Sequence, residues 1–294
     1  MISAPRVIGA GNLTGVLYVV ATPVGNLEDI TLRALRVLKE ADLIAAEDTR
    51  HTRKLLSHYG ITTPLTSYYD QIEVNKAPAL ITRLQAGQTI ALVSDAGTPG
   101  IADPGYRLVK GAWEAGIRVV PIPGASSLTA LLSAGGLPTD RITFEGFLPA
   151  KKGRRQKALE RLKHEERTLV LFESPHRLAD LLTDLEQICG DRQLVIGREL
   201  TKMFEEVLRG SVSELRVRLQ GQEIKGEVTL LVAGWNAADD ADEEQPLTTE
   251  IQMLEAEGLS LKEIAQVISE RRGISKREVY ALGVRLKEKS HSGS

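Results

Sequence analysis

Short apolar runs that stop at proline, glycine or aspartate recur through the first 235 residues, with helically spaced apolar residues between them. Runs of this length bounded by turn residues predict buried strands, and the alternation of strand and helix is typical of an α/β fold. In the first half the predicted strands are LYVVATP from Leu17, DLIAAED from Asp42, TIALVSD from Thr89 and IRVVPIP from Ile117. In the second half they are ITFEGFL from Ile142, TLVLFES from Thr168, QLVIGREL from Gln193 and EVTLLVAG from Glu227, with helices predicted over 154–163 and 177–188.

Changes in composition divide the chain into five predicted segments. A Pro-Gly turn at Pro123 and Gly124 precedes a new helical pattern, so we place a boundary there between two α/β domains. The acidic run from Asp239 to Glu244 has no apolar residue larger than alanine and predicts a solvated linker. The segments are a mobile arm (1–15), an N-terminal α/β domain (16–124), a C-terminal α/β domain (125–236), the acidic linker (237–246) and a helical tail (247–294).

The tail is predicted to be entirely helical, with Ser260 and Ser275 as helix N-caps. Its last two helices flank a short turn from Arg272 to Ile274, which resembles a helix-turn-helix. The pattern alone fits a DNA-reading transcription factor or a dimerising helical pair with its own small core, and it does not choose between DNA and RNA.

Charge and composition exclude several classes of protein. Lys plus Arg number 37 against 39 Asp plus Glu, and a net charge of −2 offers no global attraction to nucleic acid or anionic lipid. The single cysteine forms no intramolecular disulfide, and the five histidines show no metal-ligand spacing, so we expect a reducing cytoplasm and no metal. No stretch reaches the roughly 18 apolar residues of a membrane span. We therefore expect no membrane partner.

Three strand-to-helix turns predict a ligand site. The turn after the first strand holds a single glycine, so the dinucleotide fingerprint with three glycines is absent there. The loop from Ser94 to Gly105 has three glycines that allow close backbone approach, and Asp95 or Asp103 can accept hydrogen bonds from ribose hydroxyls or an amine. Asp95 can equally cap its own loop. Because ligands bind at the carboxyl ends of strands in open α/β sheets, these turns predict a small-molecule pocket.

A set of motifs extends this prediction to a family. In chain order they are TPVGNLEDIT, AAEDTRHT, ALVSDAGTPGIADPG, PIPGASS, EGFLPAKKGRR, FESPHR, RELTK and KGEVTLLVAG. From Leu17 to Gly234 the chain resembles the small-subunit ribosomal RNA methyltransferases that methylate a cytidine ribose 2′-hydroxyl, in the tetrapyrrole methylase (class III) superfamily. The resemblance implies two α/β domains with an S-adenosylmethionine cleft between them and transfer without a metal. It also implies a homodimer that acts on 16S rRNA of the small ribosomal subunit.

The resemblance also assigns the cofactor cleft to particular positions. The first loop reads ATPVG and the second SDAGTP, where relatives that methylate tetrapyrroles show a glycine-rich first loop and a Gly-Asp-Pro. This departure favours the RNA branch. The expected cofactor residues are Val24, Asp95, Gly97, Thr98, Ser126, Ser127, Phe172, Glu227, Val228 and Thr229.

Methyl transfer to a ribose hydroxyl needs in-line approach of the reacting atoms and removal of a proton, so a base or a cation is expected at the strand ends. His51, His176 and Glu199 lie in the same motifs as the favoured candidates, and His51 is interpreted as a solvated helix residue. Glu173 with Arg177 fits a buried structural ion pair equally well. The predicted catalytic residues are Glu47, Asp48, Arg50, Glu173 and Lys202.

RNA binding requires a local positive surface. Eight lysines and arginines against three glutamates lie between Lys151 and Arg167, directly after the EGFLP motif. A run of this kind is often only a solvated helix surface, but beside the predicted cleft it predicts phosphate contacts. The expected RNA-binding residues are Lys151, Lys152, Arg154, Arg155, Lys276 and Arg277.

Two other functions remain open from the residues alone. One is a tetrapyrrole methylase, which would methylate a porphyrinoid or corrinoid rather than RNA. The other is a ligand-sensing regulator with a nucleic-acid-binding tail. Removal of residues 247–294 would abolish the function of a regulator but leave cofactor binding to an enzyme.

Overall fold

The computed structural model describes residues 15–236, 247–256 and 258–291. The chain forms two compact units, of which the first ends at Gly234 and the second begins at Trp235. Both predicted α/β domains fall within the first unit, except Trp235 and Asn236 at the end of the second domain. The predicted arm, apart from Gly15, and the predicted acidic linker lie outside the described residues. In the described part of the chain, no helix combines the length and the hydrophobicity needed to span a bilayer.

The first sheet is wholly parallel, with the strand order β3-β2-β4-β1-β5. Helices cover both of its faces, which is why every residue of β2 and β4 is buried. Its strands are β1 (Val16–Val20), β2 (Leu43–Ala46), β3 (Leu65–Ser67), β4 (Ile90–Val93) and β5 (Arg118–Ile122). Its helices are α1 (Leu32–Glu40), α2 (Thr49–His58), α3 (Asp70–Gln85) and α4 (Tyr106–Glu114), with one 3₁₀ turn at Leu27–Asp29. Because all strands are parallel, their carboxyl ends meet at one edge.

The second sheet is mixed, with the strand order β6-β7-β10-β8-β9. Strands β6 and β7 are parallel, and the other neighbours are antiparallel. Its strands are β6 (Ile142–Phe147), β7 (Thr168–Glu173), β8 (Gln193–Arg198), β9 (Glu206–Ser211) and β10 (Val228–Val232). The helices of this half are α5 (Ser127–Gly135), α6 (Lys152–Leu162), α7 (Pro175–Cys189) and α8 (Val212–Leu219). Helix α5 packs through Leu131 on Val170, Val195 and Leu231 of this sheet.

The eight strands predicted from apolar runs are confirmed, and two further strands are present. Strand β3 has only three residues, all partly buried, so it lacks the continuous apolar run that marks the others. Strand β9 lies at the edge of its sheet and reads EVLRGS, with charged residues between buried ones. Short or edge strands carry a weak hydrophobic signal, which explains both omissions.

A bulge in β6 aligns two aromatic side chains. The register against β7 shifts between Phe144 and Gly146, and Gly146 has a φ of +61°, a conformation that favours glycine. Phe147 is consequently paired with Phe172, and their ring centroids lie 5.6 Å apart in an edge-to-face contact.

The second unit contains three helices in its described part: α9 (Leu247–Ala256), α10 (Leu261–Arg272) and α11 (Lys276–His291). The helical prediction for the tail is confirmed, as are both predicted caps. The Ser260 hydroxyl accepts a hydrogen bond from the Glu263 amide in a capping box, and the Ser275 hydroxyl accepts one from the Glu278 amide at 3.2 Å. The core of this unit consists of Ile251, Ile264, Ala265, Ile268 and Val279.

The prediction that Arg155 lies on an exposed basic surface is wrong. Arg155 is 2% exposed, and its Nε donates a hydrogen bond of 2.7 Å to the carboxylate of Asp184, which is 1% exposed. Arg155 lies one helical turn before the buried Leu159 and two turns before the buried Leu162, so it is on the inward face of α6. The ion pair therefore joins α6 to α7 and leaves Arg155 unavailable to a partner.

We predict that Asp184→Ala lowers the free energy of unfolding by about 3–5 kcal/mol, because the buried Arg155 guanidinium loses its hydrogen-bonded carboxylate and keeps only the exposed Asp180 at 3.9 Å. Urea unfolding followed by circular dichroism measures the change. Arg161→Ala, which alters an exposed residue of the same helix, is the matched control and should cost less than about 0.5 kcal/mol. Equal effects of the two substitutions would contradict a stabilising role for the pair.

Candidate functional site

A cavity of about 300 Å³ lies between the carboxyl edge of the first sheet and one end of the second sheet. The loops after β1, β2, β4 and β5 form one side. The end of β7 and the start of β10 form the other side, where the antiparallel register pairs Glu173 with Val228 and Phe172 with Thr229. Elements distant in the chain thus meet at a single cavity.

The structure brings together all ten residues that the family resemblance assigns to the cofactor. They belong to five separate loops and strand ends, so the chain must fold before they meet. Each lines the cavity: Val24, Asp95, Gly97, Thr98, Ser126, Ser127, Phe172, Glu227, Val228 and Thr229. Their roles toward a ligand remain a prediction.

Backbone hydrogen bonds fix the loop after β4 to the loop after β1. Thr22 and Gly97 exchange two of them, at 2.8 and 3.0 Å, and the Thr22 hydroxyl donates to the Ser94 carbonyl at 3.1 Å. Gly97 has a φ of +78°, in the left-handed region that other residues adopt only with strain. A glycine is therefore required where the loop turns into the cavity.

Glu47 and Asp95 brace the loops after β2 and β4 against each other. The Asp95 amide donates to the Glu47 carboxylate at 3.2 Å, and the Asp48 amide donates to the Asp95 carboxylate at 3.0 Å. Burial, assisted by the charge of Asp95, raises the pKa of the Glu47 carboxyl. Both carboxyl groups therefore lie in the cavity wall in fixed orientations.

The cavity is acidic, and Asp103 titrates within it near neutral pH. Burial is the main cause that raises the pKa of Asp103 to about 7, and the charges of Glu47, Asp95 and Glu227 add to it. A hydrogen bond from Ser94 acts in the opposite direction. Within the described ranges, no group of three or more His, Cys, Asp or Glu side chains is arranged to hold a metal ion.

Glu173 was considered both as a catalytic residue and as a member of a buried ion pair, and its position fits both. It lines the cavity, and its fully buried side chain forms an ion pair with Arg177, whose Nη2 lies 3.1 Å from Oε2. The other carboxylate oxygen accepts a hydrogen bond of 2.7 Å from the Ser174 amide. Arg177 also donates to the Leu148 carbonyl at 2.7 Å, which ties α7 to the loop after β6.

Asp48 and Arg50 do not line this cavity. Asp48 is the N-cap of α2 and accepts a hydrogen bond of 2.7 Å from the Arg50 amide. The exposed Arg50 guanidinium also pairs with Asp48 at 2.8 Å and lowers the pKa of that carboxyl to about 2. Both residues lie at the start of the helix, and their predicted catalytic role stays a prediction.

Lys202, the remaining catalytic candidate, also lies outside the lining. Its Nζ donates to Glu199 Oε1 at 2.8 Å, and the same oxygen accepts a hydrogen bond of 3.3 Å from the Glu227 amide. Lys202 therefore holds Glu199, and Glu199 in turn holds Glu227 beside the start of β10. These contacts position that wall of the cavity.

Several lining residues were missed from the sequence. Ile101 and Phe147 are 42% and 55% exposed although apolar, and Ser174 and Pro175 follow β7 directly. The motifs EGFLP and FESPHR contain the last three, so their positions at strand ends were a usable signal. Asp103 was considered as a hydrogen-bond acceptor but not as a titrating group, since its burial depends on the fold.

The basic residues outside the cavity divide between the two units. Lys151, Lys152 and Arg154 are exposed at the start of α6, and Lys276 and Arg277 are exposed at the start of α11. Each group is therefore accessible to an anionic partner.

Comparison with known proteins identifies the family. The family model described as Tetrapyrrole (Corrin/Porphyrin) Methylases matches residues 16–216. The fold is also similar to a solved uroporphyrin-III C-methyl transferase from Thermus thermophilus, complexed with S-adenyl homocysteine, with a TM-score of 0.53 and 20% identity over 74% of this chain and 97% of that chain. At that identity the likeness shows the fold alone.

Two curated relatives are much more similar in sequence. A protein of Haemophilus influenzae named ribosomal RNA small subunit methyltransferase I is 47% identical over 95% of this chain and 99% of its own length. A protein of the same name from Synechocystis sp. is 48% identical over 92% of this chain and 98% of its own length. The chain therefore belongs to the tetrapyrrole (corrin/porphyrin) methylase family, within the group of ribosomal RNA small subunit methyltransferase I proteins.

Proposed function

We propose that the protein transfers a methyl group from S-adenosylmethionine to the ribose 2′-hydroxyl of a cytidine in 16S rRNA. The observation that carries the proposal is the single acidic cavity in which all ten expected cofactor residues meet. The names of relatives at 47% and 48% identity support RNA as the methyl acceptor and do not favour a tetrapyrrole.

The cavity fits the chemistry of the methyl donor. S-adenosylmethionine carries a sulfonium and an ammonium group, and the side chains of Glu47, Asp95 and Asp103 supply negative charge around the space. The ring of Phe172 provides an apolar surface for a planar base. Gly97 lets the loop backbone approach a ligand closely.

The donor supplies an activated methyl group, and this chain has to orient the acceptor and take up a proton. A ribose hydroxyl is a weak acid, so a useful base has a pKa near the working pH. Asp103 and Glu47 both line the cavity and both have raised pKa values, that of Asp103 to about 7 through burial and neighbouring charges. We assign the proton to these carboxyl groups, which lie beside Asp95, rather than to one residue alone.

The oligomeric state, the cellular location and the substrate are proposed from the family resemblance and from the names of the relatives. We propose that the protein is a homodimer, that it acts in the cytoplasm, and that its substrate is the small ribosomal subunit or its RNA. The exposed Lys151, Lys152 and Arg154 are proposed to contact RNA phosphates, as are Lys276 and Arg277 of the second unit.

Transfer of labelled methyl from S-adenosylmethionine tests the function directly. The acceptors are small ribosomal subunits, naked small-subunit RNA and a porphyrinoid pool, and nucleosides are identified by mass spectrometry after nuclease digestion. We expect 2′-O-methylcytidine from the RNA. Label on the porphyrinoid alone would refute the proposal, and cofactor binding without any transfer would favour a sensor.

We predict that the cavity's preference for the sulfonium increases with pH. Between about pH 6 and pH 8 Asp103 loses its proton, so the cavity gains one negative charge and binds the positive donor more tightly. The ratio of affinities for S-adenosylmethionine and the uncharged thioether S-adenosylhomocysteine, measured by calorimetry, should increase about threefold or more. Asp103→Asn should make the ratio independent of pH, and an unchanged slope would exclude Asp103 as the titrating group.

We predict that the combined Lys151→Ala, Lys152→Ala and Arg154→Ala variant binds small-subunit RNA more weakly. Loss of three phosphate contacts should reduce the slope of log K against log salt by about 2, measured by fluorescence anisotropy. The control replaces three exposed basic residues of α1, Arg33, Arg36 and Lys39, by alanine. Equal losses in the two variants would show that overall charge rather than this surface binds RNA.

A further inference from the structure

A second cavity, of about 230 Å³, shares Asp95 with the first. It is lined by the turn after β1, by the start of α2 and by the end of β4. We propose that this second cavity binds the acceptor nucleotide, a pyrimidine ribonucleotide with its phosphate. The inference rests on the proposed function, because it names the place where that function holds its substrate.

A buried hydroxyl group points to a missing ligand. Thr52 lies on the buried face of α2, lines the second cavity and is 3% exposed, and its Oγ1 has no hydrogen-bond partner among the described residues. Buried polar atoms in folded proteins nearly always have a partner. We infer that a sugar hydroxyl or a phosphate oxygen of a ligand in the cavity becomes its partner.

The side chains that line the second cavity include a lysine, which can pair with an anionic ligand. His51 and Lys54, one turn apart in α2, are both exposed and both line the second cavity, whose carboxylate is Asp95. The first cavity is lined by several carboxylates and by no lysine, arginine or histidine of the described residues. The first cavity therefore suits a cation such as the sulfonium, whereas Lys54 gives the second cavity a side chain that can pair with a phosphate.

The remaining walls suit a flat, partly apolar group. Pro23, Leu27 and Leu55 supply apolar surface against which a base can lie. A volume of about 230 Å³ is below the usual range of roughly 300–1,000 Å³ for small-molecule pockets, which favours one nucleotide unit over a large macrocycle.

Asp95, which lines both cavities, places the proposed donor and acceptor sites side by side. Transfer requires the reacting atoms of two substrates to approach within about 3–3.5 Å, so donor and acceptor sites must adjoin. Asp95 lines both cavities, and the hydrogen bond from the Asp48 amide holds its carboxylate in place. The second cavity shares Asp95 with the first and carries the cationic side chain of Lys54.

Side-chain NMR of the full-length protein tests the proposal, with cytidine 3′-monophosphate as the probe and inorganic phosphate as the comparison. We expect the nucleotide to shift the His51 signals with saturation, and to do so at lower concentration than phosphate. Thr52→Val should weaken nucleotide binding at least fivefold while melting at the same or a higher temperature, because it removes an unpartnered buried hydroxyl. Thr52→Ser should restore binding.

The matched pair for charge is Lys54→Glu and Arg53→Glu. The two residues are adjacent and exposed on α2, but only Lys54 lines the cavity. We expect Lys54→Glu to weaken nucleotide binding at least fivefold, and Arg53→Glu to change it less than twofold. Equal losses would mean general charge attraction and would overturn the site.

Calorimetric binding of S-adenosylmethionine separates this inference from the proposed function. Unshifted His51 signals, equal responses to nucleotide and phosphate, or full nucleotide affinity in Thr52→Val would overturn the inference and leave the methyltransferase proposal standing. Intact nucleotide binding at His51 without methylation of RNA by the wild-type protein would contradict the proposed function and support a nucleotide site of another purpose.

Discussion

The two hydrogen bonds that join the loops after β2 and β4, from the Asp95 amide to Glu47 and from the Asp48 amide to Asp95, are the interaction on which the rest of the site depends. Two carboxylates close together repel each other, and burial adds to the cost of their charge. Backbone amides compensate for part of this cost, since each carboxylate accepts a hydrogen bond from an amide of the other strand's loop region. The same bonds set the direction in which α2 begins, because Asp48 both donates to Asp95 and caps the helix.

The loop between β8 and β9 holds the opposite wall by a different means. Glu199 and Thr201 have φ values of +50° and +67°, which cost energy for residues other than glycine. Side-chain bonds hold this backbone: Lys202 donates to Glu199, and the Thr201 amide donates to Glu205 at 2.6 Å. The Glu199 carboxylate in turn accepts a hydrogen bond from the Glu227 amide. The strained backbone at Glu199 is therefore linked to the residue that precedes β10 in the cavity wall.

The parts of the site that follow from strand order could be predicted from sequence. Because the strands of the first sheet are parallel, the loops after β1, β4 and β5 lie at one edge of the sheet regardless of their side chains. The motifs identify these loops in the sequence. Six of the ten cofactor positions meet in one cavity for this reason, whereas Phe172 and Glu227 to Thr229 reach it through the pairing of β7 with β10.

The parts that depend on pairing could not be predicted. Arg155 looks exposed in a run of charges, and only the packing of α6 on α7 shows that it faces Asp184. Likewise, only the structure shows that Lys202 contacts Glu199 and lies outside the lining of the cavity. The titration of Asp103 near neutral pH depends on burial and on three other carboxylates, which the chain brings together only on folding. The short β3 and the edge strand β9 were missed because neither buries a continuous run.

The strand order of the second sheet bears on how the chain matures during translation. Strand β10 is the last strand of the first unit in sequence, yet it lies in the middle of its sheet, between β7 and β8. The first sheet is complete once β5 has left the ribosome, whereas the second cannot close before Val232 emerges. Until then β7 and β8 each present an unpaired apolar edge, the kind of surface that chaperones bind and that aggregates form on. The nascent second half is therefore the vulnerable stage in the biogenesis of this protein.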